Sequence, residues 1–176
     1  HFIDGPRMER HLAEFQKVLA EYDAFTVGES VFITVDKALR YTTEGNNYLD
    51  TVFAFDHMSA DNHFGIKQLV KPFNMRQLKK TIATWQHGLY GKGWNTLYWE
   101  NHDQARIVGR YVSDTSHRDK GAKLMATILL TLSGTPFVYQ GQEIGTTSIR
   151  MDNLNDYQNP YAATQPCARF SVKKAQ

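Results

Sequence analysis

Four short apolar runs, each closing on a cluster of acids and amides, constrain this chain more than any other feature. Ala24-Phe25-Thr26-Val27 ends in Gly28-Glu29-Ser30, and Leu49 to Phe55 ends in Asp56-His57-Met58. Trp94 to Trp99 ends in Asn101-His102-Asp103-Gln104, and Phe137-Val138-Tyr139 ends in Gln140-Gly141-Gln142-Glu143. Aromatic and β-branched residues dominate the runs, so they read as buried strands. Helical spacing fills the intervals. Met8, Leu12, Phe15 and Leu19 make one face of a first helix that Gly5-Pro6 opens and Tyr22-Asp23 ends. Thr34 to Tyr41 is a short second helix. Asn74 caps a third, whose stripe is Met75, Leu78, Ile82, Trp85 and Leu89. Met125, Ile128, Leu129 and Leu132 line a fourth, stopped by Gly134. Gly45-Asn46-Asn47 and Ser59 to Phe73 read as loops.

The order is helix, then strand and helix in alternation, with no Asn-Gly hairpin turn between strands. Such alternation means parallel strands joined by right-handed crossovers. Acids leaving one edge of four strands converge only if the sheet curves. The expected fold class is therefore α/β, as part of a (β/α)8 TIM barrel. A complete barrel takes roughly 250 residues, so a chain of 176 is too short to close one.

Charge and composition exclude several partners. A net charge of +2 leaves no footprint for nucleic acid or a membrane surface. The longest apolar run, Met125 to Leu132, is interrupted by Thr127 and Thr131 and is too short to span a bilayer. Cys167 is the one cysteine, which fits a reducing compartment and a cytoplasmic location. No glycine-rich phosphate fingerprint follows any strand.

Glu29 and Asp103 are the leading candidates for chemistry. Gly28 removes bulk beside Glu29 and lets a ligand approach, although a solvated carboxylate would look the same. Asp103 belongs to a longer polar run than a turn needs for its own backbone. Asp56 and His57 are as able to orient neighbours as to react, and Glu143 reads as a cap of the following turn. Carboxylates from different strand ends suit glycoside cleavage. One is protonated to expel the leaving group, and another stays ionised beside the developing positive charge. Phe55, Tyr98, Trp99 and Tyr139 suit sugar rings and a core equally. His57, His63 and His102 with Asp103 would instead serve a metal hydrolase, but no paired-histidine spacing supports that.

Thr26-Val27-Gly28-Glu29 and Trp99-Glu100-Asn101-His102-Asp103-Gln104 resemble two short blocks of the α-amylase family, glycoside hydrolase family 13. Phe53 to Met58 and Tyr139 to Gly145 resemble its α-glucosidase branch. The resemblance runs from His1 to about Tyr157 and implies a chain equivalent to strands 5 to 8 of the barrel with their helices. On that reading residues 1–157 are the C-terminal half of the catalytic barrel and 158–176 an irregular tail.

The resemblance implies a retaining α-glucosidase acting on terminal α-linked glucose of oligosaccharides or disaccharides. Glu29 would be the general acid/base, buried enough to hold its proton, and Asp103 the carboxylate that stabilises the transition state. His102, Asn101 and Phe55 would contact the sugar, and Arg106 would contact the glucosyl unit or orient the carboxylates. No cofactor is implied for this segment, any calcium site belonging to the upstream half. The family's nucleophilic aspartate is expected upstream of His1, so the missing half of the barrel is a required partner and this chain alone is expected to be inactive. Trehalose-6-phosphate hydrolase, a glucosyl transferase or isomerase, and a non-catalytic binding subunit share these blocks. Two departures stand out: Ala105 occupies the family's usual proline position, and the tail from Tyr161 reads as a break in the reading frame.

Overall fold

The computed structural model describes residues 5–43, 48–63 and 66–149. The loop through Gly45-Asn46-Asn47 and the tail from Met151 lie outside them. Two compact units divide the chain. The first takes His1–His57, Arg76–Leu97 and Leu130–Phe137; the second takes Met58–Met75, Tyr98–Leu129 and Val138–Gln176.

In the first unit, α1 (Met8–Leu19) continues as a 3-10 turn (Ala20–Tyr22), and Asp23 ends it in a left-handed conformation, φ 48°. Strand β1 (Val27–Glu29) lies parallel to β2 (Thr51–Phe53), with Glu29 opposite Phe53. Helix α2 (Val35–Thr42) joins them, capped by the Thr34 hydroxyl, which accepts from Lys37 N. The start of the pair is clasped by Asp50. Its Oδ2 accepts from the backbone N–H of Thr26 at 2.6 Å and from the Thr26 hydroxyl at 2.7 Å.

Helix α3 (Met75–Leu89) buries Leu78, Trp85 and Leu89, as its stripe predicts. Strand β5 (Thr96–Leu97) lies parallel to β6 (Thr135–Pro136). Side chains rather than a ladder join β2 to β5: the Thr51 hydroxyl donates to Trp94 O at 3.0 Å, and the Thr96 hydroxyl donates to Val52 O. The core gathers Ile33, Ala38, Tyr41, Leu49, Val52, Ala54, Trp85 and Leu89.

Three expectations change here. Helix α1 has no buried residue: Leu12 packs partly against the core, while Phe15 stays 56% exposed. The first strand begins at Val27 rather than Ala24, because the Thr26–Asp50 clasp sets its register and leaves Phe25 exposed. The last strand is Thr135–Pro136 rather than Phe137 to Tyr139. Thr135 N donates to Asn95 O at 2.9 Å and Phe137 N to Leu97 O at 2.7 Å, so Pro136 falls where no donor is needed.

The second unit contains a feature absent from the expected order. A 3-10 turn (Asp56–Ser59) leads to β3 (Asn62–His63) and an antiparallel partner, β4 (Ile66–Val70), where a plain loop was expected. The pairing is short and irregular between Asn62 and His63, so it leaves little alternation to read. A single turn, α4 (Ile107–Arg110), is broken by Gly109 at φ 100°. Helix α5 (Arg118–Thr131) buries Met125 and Leu129. The Trp99 indole donates to Met125 O at 2.8 Å, and Tyr111 packs on Phe73 with ring centroids 4.6 Å apart. Among the described residues no helix is long and apolar enough to cross a membrane.

Burial pushes the Tyr111 hydroxyl well above the ordinary tyrosine value of 10.0. The unfolded chain ionises this group near that value and the folded chain does not. Folded stability is therefore full below about pH 10 and declines above it. Urea midpoints are expected to fall between pH 9 and pH 11, and to fall less steeply in Tyr111→Phe. Equal slopes for the two proteins would refute the assignment.

Candidate active site

The first unit carries Glu29 and Phe55 at one edge. Both parallel strands end there: Glu29 closes β1, and Phe55 follows β2 by two residues. Ser30 N donates to Phe53 O at 3.3 Å and continues the pairing past Glu29. Glu29 is exposed, so this unit's own residues do not supply the burial expected of it, and Phe55 is half-buried. Gly28 has a different use from the one expected. A Cβ there would meet Leu49 Cδ1 at 2.6 Å, so the missing side chain makes room for core packing rather than for a ligand. Asp56 accepts from the Trp85 indole at 3.0 Å and orients that ring.

The second unit carries Asn101, His102, Asp103 and Arg106 on one loop. Its base is closed by a residue without an expected role, Glu100, which is 2% exposed. Glu100 Oε2 accepts from Ile107 N at 2.6 Å, and Oε1 accepts from Arg106 Nη1 at 2.8 Å. The same Nη1 donates to Gln140 O at 2.6 Å, and the guanidinium lies 4.8 Å from the Tyr139 ring centroid. Arg106 N donates to the Ser148 hydroxyl at 3.1 Å. Ile107 and Val108 then carry the chain into the core at 1% and 2% exposure. A glutamate directly after a buried aromatic run, with an arginine six residues on, was the available signal for this clamp.

Above the base, Asn101 shapes the turn. Its Oδ1 accepts from Asp103 N at 2.8 Å, and Gln104 N donates to Asn101 O at 3.3 Å. His102 and Asp103 form the solvent-facing tip, with His102 Nε2 3.3 Å from Asp103 Oδ2. That contact becomes an ion pair when His102 is protonated. Tyr98 and Trp99 are 4% and 3% exposed, so they belong to the core and offer no face to a sugar. Glu143 does not cap its turn, which starts at Gly141 without a side-chain hydrogen bond, and Gln142 Oε1 accepts from Tyr139 N at 3.2 Å. Among the described residues no three His, Cys, Asp or Glu side chains gather as a metal-binding group.

The second unit thus presents a pinned polar loop with a carboxylate and an imidazole at its tip, and the first unit a strand that ends in a glutamate. Residues 1–173 match the family model described as the alpha amylase catalytic domain. The chain belongs to the α-amylase family. Among the relatives of this α-amylase family chain, the oligo-1,6-glucosidase of Halalkalibacterium halodurans is 44% identical over 160 residues, 90% of this chain and 28% of the relative. The trehalose-6-phosphate hydrolase of Bacillus subtilis is 42% identical over 160 residues, again 90% of this chain and 28% of the relative. The solved trehalose-6-phosphate hydrolase of Bacillus licheniformis superposes with a TM-score of 0.83 at 42% identity, over 89% of this chain and 28% of that one. The isomaltulose synthase of Klebsiella gives a TM-score of 0.82 at 32% identity, over 88% and 28%. The chain thus spans less than a third of the length of these α-amylase family relatives.

Glu100 is the anchor of the loop. In Glu100→Ala, Arg106 keeps Gln140 O and the Tyr139 ring but loses its carboxylate, and Ile107 N–H is left buried without its acceptor. Breaking a buried pair in this way costs about 3 kcal/mol. A urea midpoint lowered accordingly is expected, and unchanged stability would show that the clamp is dispensable.

Proposed function

We propose that this chain supplies the second half of the catalytic barrel of a retaining α-glucosidase, with β1, β2, β5 and β6 as strands 5 to 8. Residues 1–157 form that half and 158–176 a tail, and the enzyme works in the cytoplasm. Its substrate is an oligosaccharide or disaccharide with a terminal α-linked glucose. The observation that carries this reading is the solvent-facing Asp103 on a loop clamped at its base, in a chain whose family match covers nearly its full length.

In the proposed mechanism an aspartate from the other half of the barrel attacks the anomeric carbon. Glu29 gives a proton to the departing oxygen, then takes one from the water that releases glucose. To hold that proton near neutral pH, Glu29 needs apolar surroundings, and the remaining barrel strands are proposed to provide them. Asp103 stays ionised and faces the positive charge that develops on the sugar ring, with His102 beside it to hydrogen-bond the glucosyl hydroxyls. Arg106 acts by holding Glu100 and the loop base, and Phe55 contacts the ring. The same residues would serve a trehalose-6-phosphate hydrolase or a glucosyl isomerase, because only the group that accepts the glucosyl unit differs.

The test is turnover of p-nitrophenyl α-glucoside. Residues 1–176 alone are expected to show none. The chain extended to the full length of its relatives is expected to be active, and Glu29→Gln in that protein to lower kcat by about 10²- to 10⁴-fold. A full-length protein inactive on every α-glucoside tried, or a Glu29→Gln variant with undiminished turnover, rejects the reading.

A further inference from the structure

The turn bearing His102 and Asp103 is also held from its flank, by a cation largely withdrawn from solvent. Arg110 ends α4 with its side chain 12% exposed. Its Nε and Nη2 form a fork on the Asp61 carboxylate at 2.9 and 3.0 Å, and Nη2 also donates to Met58 O at 2.9 Å. The remaining arm, Nη1, donates to Gln104 Oε1 at 2.9 Å. Gln104 is 8% exposed and follows Asp103 directly in the chain. One planar cation therefore spans two segments, the stretch Met58–Asp61 and the turn Asn101–Gln104. The Tyr111 ring, 5.1 Å from the guanidinium carbon, keeps it in place. Burial opposes the charge, but the bond to Asp61 and the nearby Tyr111, Asp61 and Tyr98 hold the guanidinium above its ordinary value.

A purely structural ion pair would need only the fork on Asp61. Here a further donor is committed to the side chain next to Asp103. We propose that Arg110 is a positioning residue: through Gln104 it fixes the Asp103 carboxylate relative to the Met58–Asp61 segment. The proposal rests on reading Asp103 as the carboxylate that faces the transition state. Lysine cannot take over the task, because it carries a compact charge without the planar fork.

The test has two arms. In the 176-residue chain, proton–nitrogen NMR follows the His102 and Asp103 amides and the His102 imidazole. Arg110→Lys and Gln104→Met are both expected to move these signals. Gln104→Met keeps the Asp61 fork, so it decides the question even where Arg110→Lys fails to fold. Arg118→Met is the control: it removes a part-buried bond to Gly145 O in the same unit and is expected to leave the signals in place. Signals unmoved in Gln104→Met, or moved as far by Arg118→Met, overturn the proposal. In the second arm, the full-length enzyme, both variants are expected to lose kcat by about ten- to a hundredfold, with KM held within a factor of about three. A raised KM at unchanged kcat overturns it as well. An inactive wild-type full-length protein sinks the glucosidase reading instead, and the NMR arm still decides the positioning.

Discussion

A carboxylate taken out of water must be repaid by bonds to both of its oxygens, and Glu100 is held on those terms. At 2% exposure it accepts from Ile107 N with one oxygen and from Arg106 with the other. Two bonds from residues six and seven positions along the chain tie the two ends of the loop together. Such a pair is a poor source of net stability, since desolvation offsets most of its attraction. Its effect is to select a shape. The chain leaves Trp99, makes the turn, and returns to the core at Ile107 and Val108 with its ends pinned together.

Rigidity at the base is what allows exposure at the tip. His102 and Asp103 have side chains 74% and 56% exposed, yet the Asn101 amide, the Gln104 backbone and the Gln104–Arg110 contact bound their backbone on every side. A loop built this way presents charge to a ligand without collapsing onto itself. The first unit reaches a similar end with less. Asp50 clasps Thr26 and sets the register of β1 on β2, and that register puts Glu29 at the strand's end.

Periodicity was a good guide where one interaction dominates. The stripe of α3 buries Leu78, Trp85 and Leu89 because a helix repeats its facing direction and a core rewards that repeat. The polar clusters after apolar runs fall at the end of a strand, as at Glu29, and in a turn, as at Asn101–Asp103. Strand limits were less legible. In strands of two or three residues, single hydrogen bonds decide the register, as at Thr26 and at Thr135 and Phe137. The β3–β4 pair escaped notice because so short a pairing leaves no alternation.

The sequence alone determined the alternation of strands and helices, the residue types at each strand end, and the likeness to the α-amylase family. All of these follow from local spacing and from short contiguous blocks. Tertiary structure decided which polar residues face solvent and which hold the others. Glu100 and Asp103 are both acids in one loop, yet the first is sealed beneath Arg106 and the second is presented at the tip. Arg110 meets Asp61 across 49 positions of sequence. No local pattern encodes that choice, because the cost of burying a charge depends on partners that only the folded chain brings within reach.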